Sequence, residues 1–249
     1  MADRRGGSVT SEAGAATEGG ELVVSEVFGP TWQGEGPSLG TRAGFVRLGR
    51  CNLACTWCDT PYTWDWARYD PTLELVRRSV DDIARDVEAM RVPLVVITGG
   101  EPLIQQRHLV PLLERLRDGG HRIEIETAGT LAANARVVDL ADRFNVSPKL
   151  ANSGNAEELR LRAGALASFV ESGKASFKFV VREVTELDEI AGIVATNAIP
   201  TADVWVMPEG TDATTLADRS RALADAVLAR GWNMTTRLHV LLWGDERGR

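Results

Sequence analysis

The stretch SVDDIARDVEAMRVPLVVITGGEP, residues 79–102, holds a helix, a strand and a polar turn in succession. Ser79 stands where its side-chain oxygen can accept from a free first-turn N–H, which marks a helix start. Val80, Ile83, Ala84, Val87 and Met90 recur at helical spacing, so the helix runs through Arg91 with one apolar face. Pro93–Thr98 is short and rich in β-branched residues and reads as a strand. Gly99-Gly100-Glu101-Pro102 closes it. A second helix lies near Leu109–Arg117, where Pro111 fits only the first turn and Gly119-Gly120 ends the helix.

The same alternation extends in both directions. Strands are predicted at Glu21–Phe28, Ala43–Leu48, His121–Thr127, Arg143–Val146, Ser176–Val181, Asp203–Met207 and Arg237–Leu242. Further helices are predicted near Ala156–Glu171, Glu186–Thr196 and Thr214–Arg230. Strands alternating with helices imply a mostly parallel sheet joined by right-handed crossovers. About six such units are too few for a closed eight-fold barrel. The predicted fold class is therefore α/β, an open, partial β/α barrel.

Composition narrows the function. In 249 residues, 44% are hydrophobic and 25% charged, enough for a full core. Residues 1–20 are small, polar and Gly-rich and are expected to form a disordered tail, leaving 21–249 as one domain. A net charge of −7 argues against a phosphate-binding face and hence against nucleic acid as a partner. No apolar run approaches the roughly 20 residues of a membrane helix, and no secretory h-region opens the chain, so a cytoplasmic location is expected.

Chemistry in such folds gathers at the C-terminal ends of the strands. The unusual segments fall there: the cysteines after Ala43–Leu48, Thr98–Pro102, Glu126–Gly129, Ser147-Pro148-Lys149 and Met207-Pro208-Glu209-Gly210. The chain's three cysteines, Cys51, Cys55 and Cys58, stand in one loop with the spacing C-x3-C-x2-C. An odd, crowded set is a poor disulfide framework. Soft thiolates suit an iron–sulfur cluster or zinc. A [4Fe–4S] cluster held by three thiolates leaves one iron open to a small molecule. Zinc completed by His108, His121 or His239, or uncoordinated thiols, are the alternatives.

This spacing resembles that of the radical S-adenosylmethionine (SAM) superfamily. The likeness extends through Gln33-Gly34-Glu35-Gly36, Phe45-Val46-Arg47-Leu48, Trp57-Cys58-Asp59-Thr60 and Thr98-Gly99-Gly100-Glu101-Pro102. Together these are similar to the 7-carboxy-7-deazaguanine synthase family of deazapurine (queuosine-type) biosynthesis, over roughly residues 21–249.

The resemblance implies that Cys51, Cys55 and Cys58 hold the cluster and that SAM binds its open iron. It implies SAM contacts from Trp57, Cys58, Asp59, Gly99, Gly100, Glu101, Thr127, Ser147, Pro148, Lys149, Met207, Pro208, Glu209 and Gly210. The Glu101 carboxylate is suited to the SAM ammonium, and the glycines to close backbone approach to a ligand. Thr60 is the implied Mg²⁺ ligand. The implied substrate is 6-carboxy-5,6,7,8-tetrahydropterin, undergoing radical ring contraction with loss of ammonia. Its contacts would come from Trp32, Gln33, Gly34, Glu35, Arg47, Thr98, His239 and Arg249, with Arg47 able to grip the carboxylate through two N–H groups. The last residues would form a lid over the pocket. A flavodoxin- or ferredoxin-type electron donor and a homodimer are implied as well. Another radical SAM enzyme, such as a glycyl-radical activating enzyme, would need a large protein substrate. A zinc-stabilised binding module leaves Gly99–Pro102 without a purpose.

Overall fold

The computed structural model describes residues 20–249. The expected disordered tail, residues 1–20, lies outside them except for Gly20. In chain order the elements are β1 (Glu21–Trp32), β2 (Arg42–Leu48), α1 (Pro71–Glu74), β3 (Val76–Ser79), α2 (Val80–Met90), β4 (Leu94–Gly99), α3 (Gln106–Asp118), β5 (Arg122–Thr127) and α4 (Ala135–Leu140). They continue with β6 (Arg143–Val146), α5 (Glu157–Arg160), α6 (Ala163–Ser172), β7 (Ala175–Val181), α7 (Leu187–Thr196), β8 (Val204–Pro208), α8 (Ala213–Ala229), β9 (Asn233–Met234) and α9 (Leu238–Trp243).

One sheet runs β3-β1-β2-β4-β5-β6-β7-β8-β9. β1 pairs antiparallel with β2 and β3, and every pair from β2–β4 to β8–β9 is parallel. The ends, β3 and β9, do not meet, so the sheet is open. Helix α2 forms as its sequence dictates. The Ser79 oxygen accepts from Asp82 N–H at 3.1 Å, and Arg91 closes the helix in the left-handed region at φ 51°.

The helices cover one face of this sheet. Val95 and Ile97 of β4, Ile123 and Ile125 of β5, Phe144 of β6 and Phe177 and Phe179 of β7 share a single core with α2, α3, α4, α6, α7 and α8. Burying each such side chain contributes about 1.5–3 kcal/mol relative to exposure. Strand side chains alternate between faces. The intervening positions therefore point the other way; Phe45, Leu94 and Val96 form a small apolar cluster there, and Arg47, Thr98, Glu124, Glu126, Asn145 and Lys178 make much of that face polar. This bare, largely polar face is the wall of the site.

Four local expectations are corrected. The segment Arg237–Leu242 is a helix, α9, rather than a strand. Its apolar residues do alternate, but a run this short fits either period, and only Val240 is buried while Leu241 and Leu242 are exposed. Helix α3 starts at Gln106, which puts Pro111 in its second turn. The helix expected over Ala156–Glu171 is two, because Arg160 turns inward to donate to Lys149 O at 2.8 Å and to meet Glu189. Strand β1 runs on to Trp32, beyond a register shift between Phe28 and Thr31.

Candidate functional site

A cavity of about 630 Å³ opens against the polar face, and the three cysteines line it. All three are half-buried and free. Burial pushes the Cys51 thiol up to about 12, and burial also raises Cys55. Each sulfur accepts one N–H. Leu53 N–H points at Cys51 Sγ at 3.5 Å, Asn155 Nδ2 at Cys55 Sγ at 3.3 Å, and Trp64 Nε1 at Cys58 Sγ at 3.3 Å.

The donor set fits a cluster better than a single ion. Among the described residues, no three His, Cys, Asp or Glu side chains converge closely enough to hold one metal ion. Thiols that share a cavity yet surround no common point suit a cluster, whose ligands bind separate irons. Of the histidines only His239 lines the cavity, and it belongs to no such group of metal-holding side chains. His121 Nδ1 lies 2.9 Å from Val92 O, His108 sits beside Gly20, and neither lines the cavity.

Glycines bring the β4 turn against the cysteine loop. Gly100 N–H donates to Leu48 O at 3.1 Å and Glu101 N–H to Arg50 O at 2.8 Å. A methyl on Gly99, at φ 140°, or on Gly100 would overlap the Leu48 or Arg50 backbone. The close approach expected toward a ligand is thus made by β2 itself. Glu101 also departs from expectation. Its carboxylate is fully buried and accepts from Leu103 N–H at 3.1 Å, Ala128 N–H at 2.8 Å and Thr127 Oγ1 at 2.9 Å. Burial raises its pKa, and these N–H bonds oppose the rise. It braces two strand-end turns and does not line the cavity; neither do Pro148, Pro208 or Gly210. The other sequence-predicted residues, from Trp32 to Arg249, all do.

Thr60 precedes a 3-10 turn at Pro61–Thr63, yet its hydroxyl makes no capping bond and lies 3.7 Å from Cys58 Sγ. Thr60 itself lines the cavity. Nearby, Lys149 Nζ donates to Ser147 Oγ at 2.9 Å and stands 5.7 Å from the Trp57 ring centroid.

The opposite wall is a charged lattice. Gln33 Nε2 donates to Glu126 Oε1 at 3.0 Å, and Thr98 Oγ1 to Glu126 Oε2 at 2.8 Å. Glu35 pairs with Lys178 and with Arg237, whose Nε lies 3.1 Å away, and Arg237 also grips Asp59. Burial alone would raise the Glu35 pKa, but Lys178, Arg237 and His239 together hold it well below the ordinary carboxylate range. Burial would likewise lower Lys178, and Glu35 and Glu126 reverse that and raise it. His239 is lowered by burial, so it is neutral at neutral pH.

Arg47 donates through Nε to Glu26 at 3.0 Å and lies over the Phe28 ring, which leaves its terminal N–H groups for a ligand. Helix α9 docks on the Gln33–Gly36 loop through Leu238 N–H to Gly34 O at 2.8 Å. Any side chain at Gly34 would overlap the His239 ring. Beyond α9, Arg247 binds Glu26 and Glu74 and stacks 3.8 Å from the Tyr62 ring centroid. Residues 245–249 thus line the cavity.

Sequence reasoning missed Lys178, Arg237, Arg247, Asn145 and Tyr62. One signal was present: Lys178 is the lone charge in the strand Ala175–Val181, which is apolar but for Ser176.

The chain is similar to several known proteins. Residues 46–178 match the model of the radical SAM superfamily. The 7-carboxy-7-deazaguanine synthase of Pyrobaculum aerophilum is 36% identical over 91% of this chain and 96% of its own length. That of Rhodopirellula baltica is 35% identical over 91% of this chain and 88% of its own. The crystal structure of QueE from Escherichia coli superposes with a TM-score of 0.66 at 27% identity, covering 88% of this chain and 95% of that one.

Proposed function

The chain belongs to the radical SAM superfamily and, within it, to the 7-carboxy-7-deazaguanine synthase family, and from this we propose that it is a carbon–nitrogen lyase converting 6-carboxy-5,6,7,8-tetrahydropterin to 7-carboxy-7-deazaguanine with loss of ammonia. One observation carries the proposal: a single cavity has three free cysteines on one side and a polar wall fit for a small anion on the other. The cysteine side suits a centre that generates a radical, and the wall suits a flat, carboxylated ring.

Bound at the three cysteines, a [4Fe–4S] cluster with SAM supplies a 5′-deoxyadenosyl radical. The residues of the chain position and shield the reactants. Arg47 is already oriented by Glu26 and offers its free N–H groups to the substrate carboxylate. Gln33, Glu126 and Thr98 form a hydrogen-bonded unit on which the pterin edge can rest. Neutral His239 can donate to the ring without adding charge. Thr60 is the proposed Mg²⁺ ligand, supported by a hydroxyl that makes no capping bond and lines the cavity beside Cys58. Lys149, Ser147, Met207 and the Gly99-Gly100 backbone are the proposed SAM contacts, supported by their position on the cavity wall. Glu35 is proposed to act through Arg237 and Lys178, which it holds in place.

The proposal includes a low-potential flavodoxin or ferredoxin as electron donor, a homodimer and a cytoplasmic setting. No helix among the described residues is long and apolar enough to cross a membrane. Two variants test the division of the cavity. Cys55→Ala should lose iron and SAM cleavage together. Arg47→Ala should keep both and raise the KM for the carboxypterin at least tenfold, the effect of about 1.4 kcal/mol. An Arg47→Ala enzyme with an unchanged KM removes the anion site from the account.

A further inference from the structure

Each cysteine sulfur accepts an N–H bond, but from sources of different kinds. Leu53 N–H belongs to the cysteine loop itself. Trp64 Nε1 and Asn155 Nδ2 are side chains brought in from outside it, one from the turn after Thr60 and one from the segment between β6 and α5. The Asn155 amide has one orientation. Its Oδ1 accepts from Ala54 N–H at 2.9 Å, so its NH₂ must face Cys55, and the second hydrogen goes to Ser153 Oγ at 3.2 Å. Trp64 is half-buried at the cavity wall and its indole has a single donor, spent on Cys58 Sγ at 3.3 Å. Asn155 also ties the cysteine loop to its own segment through Ala54 and Ser153, but neither that tie nor the packing of the Trp64 ring needs an N–H aimed at a sulfur.

We propose that Trp64 and Asn155 are positioning residues that set the reduction potential of the iron–sulfur cluster, by donating hydrogen bonds to two of its three thiolate ligands. The inference rests on the cluster reading given above. Reduction adds one electron, from a low-potential one-electron donor, and part of the added negative charge falls on the ligand sulfurs. A donated N–H stabilises that charge more in the reduced state than in the oxidised one, so the potential rises. Removing the donor lowers it. Loosened packing acts in the opposite sense, because water admitted beside the cluster favours the more highly charged, reduced form. The sign of the change therefore separates a hydrogen-bonding role from a merely structural one.

The test is a redox titration of the reconstituted holoenzyme and of Trp64→Phe, Asn155→Ala and the double variant. Iron content and the low-temperature electron paramagnetic resonance signal of the reduced cluster are read in the same samples. Wild-type protein with four irons and that signal reports on the cluster reading by itself. At one fixed potential, each single variant should show a reduced-to-oxidised ratio about fivefold below wild type. By the one-electron relation that is a fall of about 40 mV. The double variant should show the product of the two fold-changes, a ratio about twenty-five-fold below wild type. A ratio unchanged or raised in a cluster-loaded single variant overturns the role of that residue.

Discussion

Glu101→Gln separates a brace from a ligand contact. The carboxylate now accepts from two backbone N–H groups and a hydroxyl, and nothing else reaches it. Glutamine has the same shape but one oxygen. Whichever way the amide turns, its NH₂ faces either Leu103 N–H or Ala128 N–H, and that buried donor loses its acceptor. Such a loss costs about 1–3 kcal/mol. In a chain of this size 1 kcal/mol moves Tm by about 2–4 °C, so a drop of about 4–8 °C is expected for the middle of that range. Anaerobic thermal melts followed by circular dichroism measure it. SAM affinity, measured calorimetrically well below Tm, should stay within about threefold, because the side chain does not reach the cavity. An unchanged Tm with a tenfold weaker SAM would restore Glu101 to the ammonium and refute the brace.

Lys178→Met keeps the bulk of the side chain but leaves Glu35 with only Arg237 as a partner. Breaking a buried pair costs about 3–5 kcal/mol, so Tm should fall by at least about 6 °C; no fall would show the pair to be idle. Thr60→Ala should blunt the response of carboxypterin turnover to Mg²⁺ while leaving the cluster spectrum intact, and an unaltered magnesium titration would count against that ligand. Folding stability should depend on pH through His239, whose burial lowers its folded pKa below the ordinary histidine value of about 6.5. The unfolded chain then binds the extra proton, so stability falls as pH drops below 6.5, by at most about 1.4 kcal/mol per pH unit. Urea melts at several pH values should show this component vanish in His239→Gln. Deleting Gly244–Arg249 removes the Arg247 contacts to Glu26, Glu74 and Tyr62, and should raise the carboxypterin KM while leaving uncoupled SAM cleavage intact; normal turnover would end the lid idea.

Some of this was legible in the residues and some was not, for physical reasons. Helix α2 carries its own cap, stripe and stop, so local chemistry suffices to define it. The cysteine loop and the strand-end turns are legible because parallel α/β sheets place such loops together at one edge. Lys178 and Asn145 are hidden because their meaning depends on which face of the sheet lacks helices, a property of the whole assembly. Arg237 and His239 were misplaced with α9, since a six-residue apolar segment fits a strand and a helix equally well. The bracing bonds of Glu101 are hidden because a carboxylate beside a glycine turn looks like a ligand contact until its donors are counted. Those donors come from Ala128 and Thr127, on a neighbouring strand end.

The most direct test is turnover itself. The protein, reconstituted anaerobically with iron and sulfide, is given SAM, Mg²⁺, a low-potential reductant and 6-carboxy-5,6,7,8-tetrahydropterin, and the products are resolved by mass spectrometry. The account predicts 7-carboxy-7-deazaguanine and ammonia in equal amounts, matching the pterin consumed. Cleavage of SAM with the pterin recovered unchanged would contradict it.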